Sequence, residues 1–192
     1  MGEIRIASGR FRGRKIMTPS EETTRPLLTR LRKSLADIMR PQLAGSRILD
    51  LFGGSGAIVL ELISNGADSA VIVELDKKAA DLISSNVSIL NLEKEIEIIN
   101  MDAVDSIPLF SLKGENFDII VIAPPYGLSL QQKAFDVLSK YKILSSQGVI
   151  IIQRDEKEHS CDVPEGFVFV RTRGYGRTEF DFYSRGNQGL FF

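Results

Sequence analysis

Short apolar segments alternate with helical segments along most of the chain, and this alternation limits the folds it can adopt. Strands that are apolar on both sides are typical of a parallel sheet covered by helices. The segments of this kind are residues 47–52, 70–73, 117–122 and 149–153, with a further strand predicted at 95–99. Their order predicts an α/β fold with an open doubly wound sheet, whose site lies at the carboxyl ends of the strands.

The C-terminal part of the chain follows a different pattern. Two further strands are predicted at residues 166–172 and 177–183, and only a short turn with glycines separates them. Strands joined so closely form a hairpin, so one of them runs antiparallel. The sheet is therefore expected to have about seven strands and a C-terminal antiparallel hairpin. Helices are predicted from Pro26 to Pro41, over 57–65, from Asp76 to about Leu90, and over 130–141.

Positive charge is concentrated at the N-terminus. The chain has 192 residues and a net charge of −1, yet residues 1–47 hold eleven Lys or Arg against four acids. At this length one full domain is expected. We predict a short basic arm over residues 1–20 and a single domain over residues 21–192. A basic arm on an acidic body is the asymmetry expected of a face that meets phosphates, although a solvated strand and turn with charged edges explains the charge equally well.

Several classes of protein are not indicated. The sequence has no apolar run long enough to span a bilayer and no secretory signal, so we expect a cytoplasmic protein without a membrane partner. The single cysteine, Cys161, cannot form an internal disulfide and is interpreted as an inert thiol. No cluster has the spacing of metal ligands, and His159 lies in a polar stretch that predicts a solvated loop.

A glycine-rich turn follows the first apolar strand. Glycines let the backbone approach a ligand closely, and the N-terminus of the next helix favours a negative group. The spacing is Gly54-x-Gly56 with Val59 where a dinucleotide-binding turn has its third glycine. Glu74 ends the next strand, where a carboxylate can accept bonds from both hydroxyls of a ribose. Asp102 follows the third strand and is either an acceptor for an adenine amino group or a helix cap.

Two prolines and a tyrosine follow the fourth strand. Pro124 and Pro125 fix the backbone and lack N–H donors, which leaves carbonyl groups free to accept hydrogen bonds. Tyr126 beside them can stack on a flat base. The alternative is a rigid turn with a packed tyrosine.

These motifs together resemble the class I S-adenosylmethionine-dependent methyltransferases, and more narrowly the bacterial 16S ribosomal RNA guanine-N2 methyltransferase family named for guanine 966. The resemblance covers nearly the whole chain, and it depends on the order and spacing of motifs that are each of modest specificity. The matching segments are residues 5–15, Arg25-Pro26, residues 48–56, residues 73–76 with Asn86, Asp102-Ala103, residues 117–126 and Tyr175-Gly176.

The resemblance implies a function and a set of site residues. It implies methyl transfer from S-adenosylmethionine, with S-adenosylhomocysteine as product, to 16S ribosomal RNA or an assembled small subunit, by a protein we expect to be a monomer that needs no metal. The implied cofactor contacts are Arg25, Asp50, Phe52, Gly53, Gly54, Ser55, Gly56, Glu74, Leu75, Asp102 and Ala103. The implied catalytic residues are Ala123, Pro124, Pro125 and Tyr126, and the arm residues Arg5, Arg10, Arg12, Arg14 and Lys15 are expected to bind RNA.

The chain departs from the family at the first catalytic position. The family has Asp or Asn there, and this sequence has Ala123. That side chain and the carbonyl of Pro124 would be the two acceptors for the N–H groups of the target amino group, and they would stabilise the charge that develops on nitrogen. We therefore expect the fold and cofactor site to persist and methyl transfer to be weakened. Gln153-Arg154 is a second departure, since the family usually ends this strand with an acid.

Other functions remain open at this stage. Methylation of adenine N6 or of a protein glutamine amide uses similar proline pairs, but those families usually carry a larger recognition domain. Ala123 favours a third possibility, a cofactor-binding protein that contacts RNA and has lost catalysis. A nicotinamide dehydrogenase is disfavoured by the glycine spacing.

Overall fold

The segments that the sequence marks as buried strands lie side by side in one mixed sheet. The computed structural model describes residues 2–19 and 26–186. In chain order the elements are β1 (Gly2–Arg5), β2 (Lys15–Thr18), α1 (Pro26–Leu43), β3 (Arg47–Asp50), α2 (Ala57–Ser64), β4 (Ser69–Glu74), α3 (Lys77–Leu90), β5 (Ile96–Asn100), α4 (Ala103–Leu112), β6 (Phe117–Ile122), α5 (Leu130–Ser139), β7 (Leu144–Asp155), β8 (Phe167–Tyr175) and β9 (Thr178–Arg185).

The strand order confirms the predicted doubly wound sheet. Seven strands lie in the order β5-β4-β3-β6-β7-β9-β8. The first five are parallel, whereas β9 runs antiparallel to both β7 and β8. The chain leaves β3 toward β4 on one side and later returns to β6 on the other. The carboxyl ends of β3 and β6 therefore flank the point where the strand order reverses, which is where open α/β sheets bind their ligands.

Each face of the sheet buries its own apolar layer. Alternate residues of one strand point to opposite faces, so Ile48 joins one layer and Leu49 the other. Helices α1, α2 and α3 cover the first face, and α4 and α5 cover the second. Both faces of the parallel strands are thus buried, which explains why their sequences are almost wholly apolar.

Three sequence predictions differ from the structure in their bounds or presence. Pro41 was expected to end the first helix, but α1 continues to Leu43, whose side chain is only 1% exposed, so packing holds the last residues in the helix. Helix α4 was not predicted, because it is short and contains Pro108. Strand β7 begins before Gly148, five residues earlier than the apolar run indicates.

The N-terminal arm is a hairpin that packs on the body of the protein. Strands β1 and β2 pair antiparallel from Gly2 opposite Thr18 to Arg5 opposite Lys15. Ile4, Ile6 and Ile16 are buried in the same apolar layer as α1, α2 and α3. The division of the chain at residue 20 stays a prediction.

Candidate active site at the carboxyl edge of the sheet

A cavity of about 160 Å³ lies at the switch point, where the strand order reverses between the carboxyl ends of β3 and β6. The glycine loop after β3 forms one wall and the start of the loop after β6 forms the other. Helix α1 adds Leu31 and Arg32. Of the predicted site residues, the cavity brings together Asp50, Phe52, Gly53, Gly54, Ser55 and Ala123.

Close packing and left-handed backbone explain the glycines of the loop. Gly53 donates from its N–H to the carbonyl oxygen of Val73 on β4 at 2.9 Å. A Cβ atom at Gly53 would lie 2.5 Å from Cγ2 of Ile72. Gly54 and Gly56 have φ angles of 57° and 74°, which favour glycine, and Gly56 is the N-cap of α2. The loop therefore packs closely against β4, and Gly53 and Gly54 line the cavity.

Two carboxylates stand beside this loop. Asp50 is only 2% exposed and accepts a hydrogen bond from the N–H of Phe52 at 3.1 Å. Burial raises the pKa of Asp50 to about 7, the N–H of Phe52 opposes the rise, and the charge of Glu74 adds to it. Glu74 accepts from the N–H groups of Gly54 at 2.7 Å and Asp76 at 2.9 Å. A carboxylate offers about four lone pairs, so Glu74 keeps capacity for a ligand.

Three further predicted cofactor residues lie after the ends of β4 and β5 and do not line the cavity. Leu75 is 67% exposed directly after Glu74. Asp102 is the N-cap of α4, and its Oδ1 accepts from the N–H groups of Val104 and Asp105. Ala103 is the first residue of that helix and is buried. The capping interpretation of Asp102 is therefore correct, and its Oδ2 has no hydrogen-bond partner within the described part of the chain.

The proline motif begins at the opposite wall, where Ala123 is its one residue among those that line the cavity. Ala123 lines the cavity, Pro124 is buried and Pro125 is exposed. Tyr126 is 42% exposed, and its hydroxyl contacts Nε2 of Gln153 at 2.9 Å and Oγ1 of Thr178 at 3.1 Å. These contacts hold the tyrosine to the ends of β7 and β9, with much of its ring open to solvent.

The loop after the motif is held by a further acid. The N–H of Gly127 donates to Oε1 of Glu158 at 2.7 Å, and the N–H of Asp155 donates to Oε2 at 2.9 Å. Arg154 donates to the carbonyl oxygen of Glu158 at 2.7 Å and forms a buried ion pair with Asp181 on β9. Arg154, a departure from the family pattern, thus anchors the segment that holds the motif loop.

The five arm cations predicted to bind RNA are all exposed. Three of them also form a hydrogen bond or an ion pair within the protein: Arg5 donates to the carbonyl oxygen of Gly13, Arg14 to that of Ile89, and Lys15 pairs with Glu3. Arg10 lies over the ring of Phe11 at 4.8 Å.

The arm is joined to the site by residues that sequence reasoning did not assign. Glu61 of α2 is 1% exposed and accepts from the N–H groups of Ala7 and Ser8. Asn86 of α3 binds Met17 of the arm through both amide atoms and donates to the carbonyl oxygen of Ser55 in the glycine loop. A single acid within the apolar sequence of α2 was the available signal for Glu61, since a buried carboxylate needs hydrogen-bond partners.

One predicted cofactor contact, Arg25, lies outside the described residues. Leu31, Arg32, Ala57, Ile58 and Gln153 line the cavity without having been assigned to it. In the part of the chain that the structure describes, no group of His, Cys, Asp or Glu has the arrangement of a metal site, and no helix is long and apolar enough to cross a bilayer. Burial raises the pKa of Cys161 to about 12, which agrees with an inert thiol.

The sheet order, the glycine loop at the switch point and the antiparallel end define the class: the chain has the fold of the class I methyltransferases. The solved structure of the Escherichia coli protein yhhF superposes with a TM-score of 0.83 at 26% identity, covering 97% of this chain and 100% of that one.

The particular family follows from the sequence. A profile of the family described as conserved hypothetical protein 95 matches residues 4–184, and the chain belongs to this family. Among its relatives is Ribosomal RNA small subunit methyltransferase D of Escherichia coli K12, 27% identical over 98% of this chain and 93% of the relative. The protein of the same name from Haemophilus influenzae is 29% identical over 95% of this chain and 94% of its own length. The predicted resemblance at the level of the family is thereby confirmed.

Proposed function

We propose that this protein is an S-adenosylmethionine-dependent methyltransferase that acts on the exocyclic N2 amino group of a guanine in the ribosomal RNA of the small subunit. The observation that carries the proposal is the juxtaposition of two elements across one cavity at the switch point. These are the glycine loop with Asp50 and the Ala-Pro-Pro-Tyr motif that begins at Ala123. The names of the relatives support the choice of ribosomal RNA.

The residues of the first wall fit a cofactor that combines an adenosine and a cationic methionine. The glycine loop offers backbone without a Cβ in the way, and Asp50 is a buried carboxylate at the same cavity. In this proposal Glu74 binds the ribose, and Oδ2 of Asp102 accepts from the adenine amino group. Phe52, Ser55, Leu75, Ala103 and, from outside the described residues, Arg25 complete the contacts.

The opposite wall would hold the target base. S-adenosylmethionine supplies a methyl group activated by the positive sulfur. A new nitrogen–carbon bond forms as the sulfur–carbon bond breaks, and the nitrogen loses a proton to solvent. The carbonyl of Pro124 would accept one N–H of the amino group, Pro125 would keep the turn rigid, and Tyr126 would stack on the base after it leaves its stack in the RNA.

Ala123 limits the reaction in this scheme. Its methyl group cannot accept the second N–H, so one of the two acceptors for the reacting amino group is missing. Loss of one such polar contact typically costs on the order of 10²–10³ in rate. We therefore propose a slow enzyme with a complete cofactor site.

The arm supplies the second part of RNA binding. Arg5, Arg10, Arg12, Arg14 and Lys15 would contact phosphates that flank the target. The body of the protein holds the arm through Glu61 and Asn86. The phosphate contacts would thus sit at a fixed distance from the cavity.

Transfer of labelled methyl groups from S-adenosylmethionine to small ribosomal subunits that lack the modification tests this function. Slow transfer is expected, with N2-methylguanosine as the product after digestion to nucleosides. Fully modified subunits, the matched control, should accept no label. Label on adenine or on protein would replace the proposed substrate with one of the other amino groups.

A second candidate is a cofactor-binding protein that contacts RNA without catalysis, which Ala123 favours. It predicts binding of S-adenosylmethionine and of small subunits with no transfer at any time. Detectable turnover on any RNA would exclude it.

A further inference from the structure

Gln153 lies beside the position where the proposed reaction lacks an acceptor. In the parallel pairing of β6 and β7, Ile122 is in register with Ile152. Ala123 and Gln153 are the next residues along the two neighbouring chains, and both line the cavity of about 160 Å³ at the switch point. The strand register therefore places the amide side chain of Gln153 next to the first residue of the proline motif.

A hydrogen bond orients this amide. Nε2 of Gln153 donates to the hydroxyl of Tyr126 at 2.9 Å, and this hydroxyl also contacts Oγ1 of Thr178 on β9 at 3.1 Å. The nitrogen end of the amide is thus tied to the tyrosine that would stack on the base. The amide is planar, so the position of its oxygen is set as well.

The oxygen of the amide is an acceptor that a ligand can reach. Gln153 is half-buried, and its Oε1 accepts no hydrogen bond from the residues that the structure describes. It differs from the unpartnered polar atoms that the fold shields from solvent. Asp50, the carboxylate in the same cavity, lies at the end of β3 and already accepts from the N–H of Phe52. Gln153 therefore supplies a neutral acceptor on the side of the cavity that belongs to the proline motif.

The edge of a purine decides whether it can use such an acceptor. Guanine carries an N1–H next to its N2 amino group, because both nitrogens are bonded to the same ring carbon. Adenine has an unprotonated N1 with a lone pair, which would meet the amide oxygen with repulsion. Enzymes that take a base out of its stack recognise it through hydrogen bonds to this Watson–Crick edge.

We propose that Gln153 selects guanine, with Oε1 accepting a hydrogen bond from N1–H of the target base while Nε2 stays bonded to Tyr126. The inference rests on the proposed function for the identity of the substrate. In this arrangement Pro124 contacts the amino group that reacts, Tyr126 stacks on the ring, and Gln153 distinguishes guanine from adenine.

The direct test measures binding of short RNAs to the full chain with saturating S-adenosylhomocysteine. Each probe is a labelled pentaribonucleotide with one central purine flanked by cytidines, which carry no ring N–H. The purines are guanine, hypoxanthine, 2-aminopurine and adenine. Hypoxanthine keeps N1–H and lacks the amino group, whereas 2-aminopurine keeps the amino group and lacks N1–H. Fluorescence anisotropy gives the Kd of each.

Gln153→Met should weaken binding of the guanine and hypoxanthine RNAs about tenfold and leave the other two unchanged. Gln153→Glu keeps an acceptor oxygen and should restore binding of the guanine RNA. Gln147→Met, at an exposed glutamine on β7, is the matched control and should change none of the four. An effect of Gln153→Met that is equal for all four RNAs, or absent for all four, overturns the proposal. An effect confined to guanine and 2-aminopurine assigns Oε1 to the amino group and overturns the contact with N1–H.

Methyl transfer separates this inference from the proposed function. Gln153→Met should raise KM for small subunits about tenfold and leave kcat and the Kd of S-adenosylmethionine unchanged, because the contact is equally present in the bound base and in the transition state. Label on guanine with an unchanged KM in Gln153→Met overturns the role of Gln153 alone. Label on adenine in the unchanged chain refutes the guanine substrate and this inference with it.

Discussion

The carboxyl edge of the sheet has two halves, one proposed to bind the cofactor and one proposed to bind the target base. They differ in whether all the expected polar groups are present. At the ends of β3, β4 and β5, the glycine loop and the carboxylates of Asp50 and Glu74 already form a connected set of hydrogen bonds. At the ends of β6, β7 and β9, Tyr126 is held from two strands, but the side chain of Ala123, which lines the cavity, has no polar atom. In the proposed function, the fold determines where the cofactor and the base bind, and the side chain at position 123 determines how fast the methyl group is transferred.

Restoring the missing acceptor should have the largest effect. Ala123→Asp is expected to raise the rate of methyl transfer to undermodified small subunits by about 10²–10³, because it supplies the second acceptor for the reacting amino group. Single-turnover kinetics with labelled S-adenosylmethionine measure the change. Ala123→Leu, which adds volume without an acceptor, should give no gain. Equal rates for Ala123→Asp and the unchanged chain would show that the two halves do not differ in the way proposed.

Damage to the first half should appear in cofactor affinity. Glu74→Gln replaces an acceptor oxygen by an NH₂ group, which cannot accept from the N–H of Gly54 or Asp76. It also removes the charge that we propose binds the ribose. Hydrogen bonds to charged groups are worth about 1.5–3 kcal/mol, so the Kd of S-adenosylmethionine should rise about 10- to 100-fold. Isothermal titration calorimetry measures it. Glu97→Gln, at an exposed position on β5, is the matched control. A loss of affinity of the same size in both variants would argue against a specific role for Glu74.

The pH dependence of binding sharpens the role of Asp50. Burial keeps this carboxyl protonated below its pKa of about 7, and a cationic ligand requires the charged form. Binding then releases one proton below pH 7, so affinity should rise about tenfold per pH unit between pH 5.5 and 7 and level off at pH 7.5. Asp50→Asn should flatten the profile. A tenfold rise per unit that persists in Asp50→Asn would assign the titration to another group.

The free protein should show the opposite trend in stability. The folded-state pKa of Asp50 is raised above its unfolded value, so the folded state holds a proton that the unfolded state has lost between about pH 4 and 7. The contribution of Asp50 therefore favours folding below this range and declines through it, by about 1.4 kcal/mol per pH unit. Urea unfolding of the chain and of Asp50→Asn isolates this contribution as the difference between the two pH profiles. Parallel profiles would contradict the raised pKa.

The smallest expected effect concerns the arm. Arg12→Gln removes one exposed cation and should reduce the slope of log affinity against log salt by about one, with a weakening of a few fold at physiological salt. Lys113→Gln, an exposed substitution after α4, should leave the slope unchanged. Filter binding of small subunits over a range of salt concentrations measures both. A flat salt response in the unchanged chain would remove the arm from the RNA-binding surface.

Much of the fold could be predicted from the sequence because the buried strands are apolar on both faces. The bounds of β6 match the prediction, and Asp76 caps α3 as expected. Helix α4 was missed because ten residues with an internal proline give a weak periodic signal, although Asp102 marked its start.

Local motifs predict the residues of the candidate site but not the contacts that support them. Local motifs located the glycine loop, Glu74 and the proline turn. The contacts of Glu61 with the arm, of Asn86 with Ser55 and of Glu158 with Gly127 join residues about 30 or more positions apart. Hydrogen bonds over such separations depend on the packing of helices and loops, which no local pattern specifies.

Calorimetric titration of the unchanged chain with S-adenosylmethionine and, separately, with NAD at pH 7.5 tests whether the cofactor site is the one proposed. We predict saturable one-to-one binding of S-adenosylmethionine, because the glycine loop and the carboxylates of Asp50 and Glu74 are in place in spite of Ala123. We predict no binding of NAD, because Val59 stands where a dinucleotide-binding turn has its third glycine. Failure to bind S-adenosylmethionine, or binding of NAD in its place, would contradict the proposed function at its foundation.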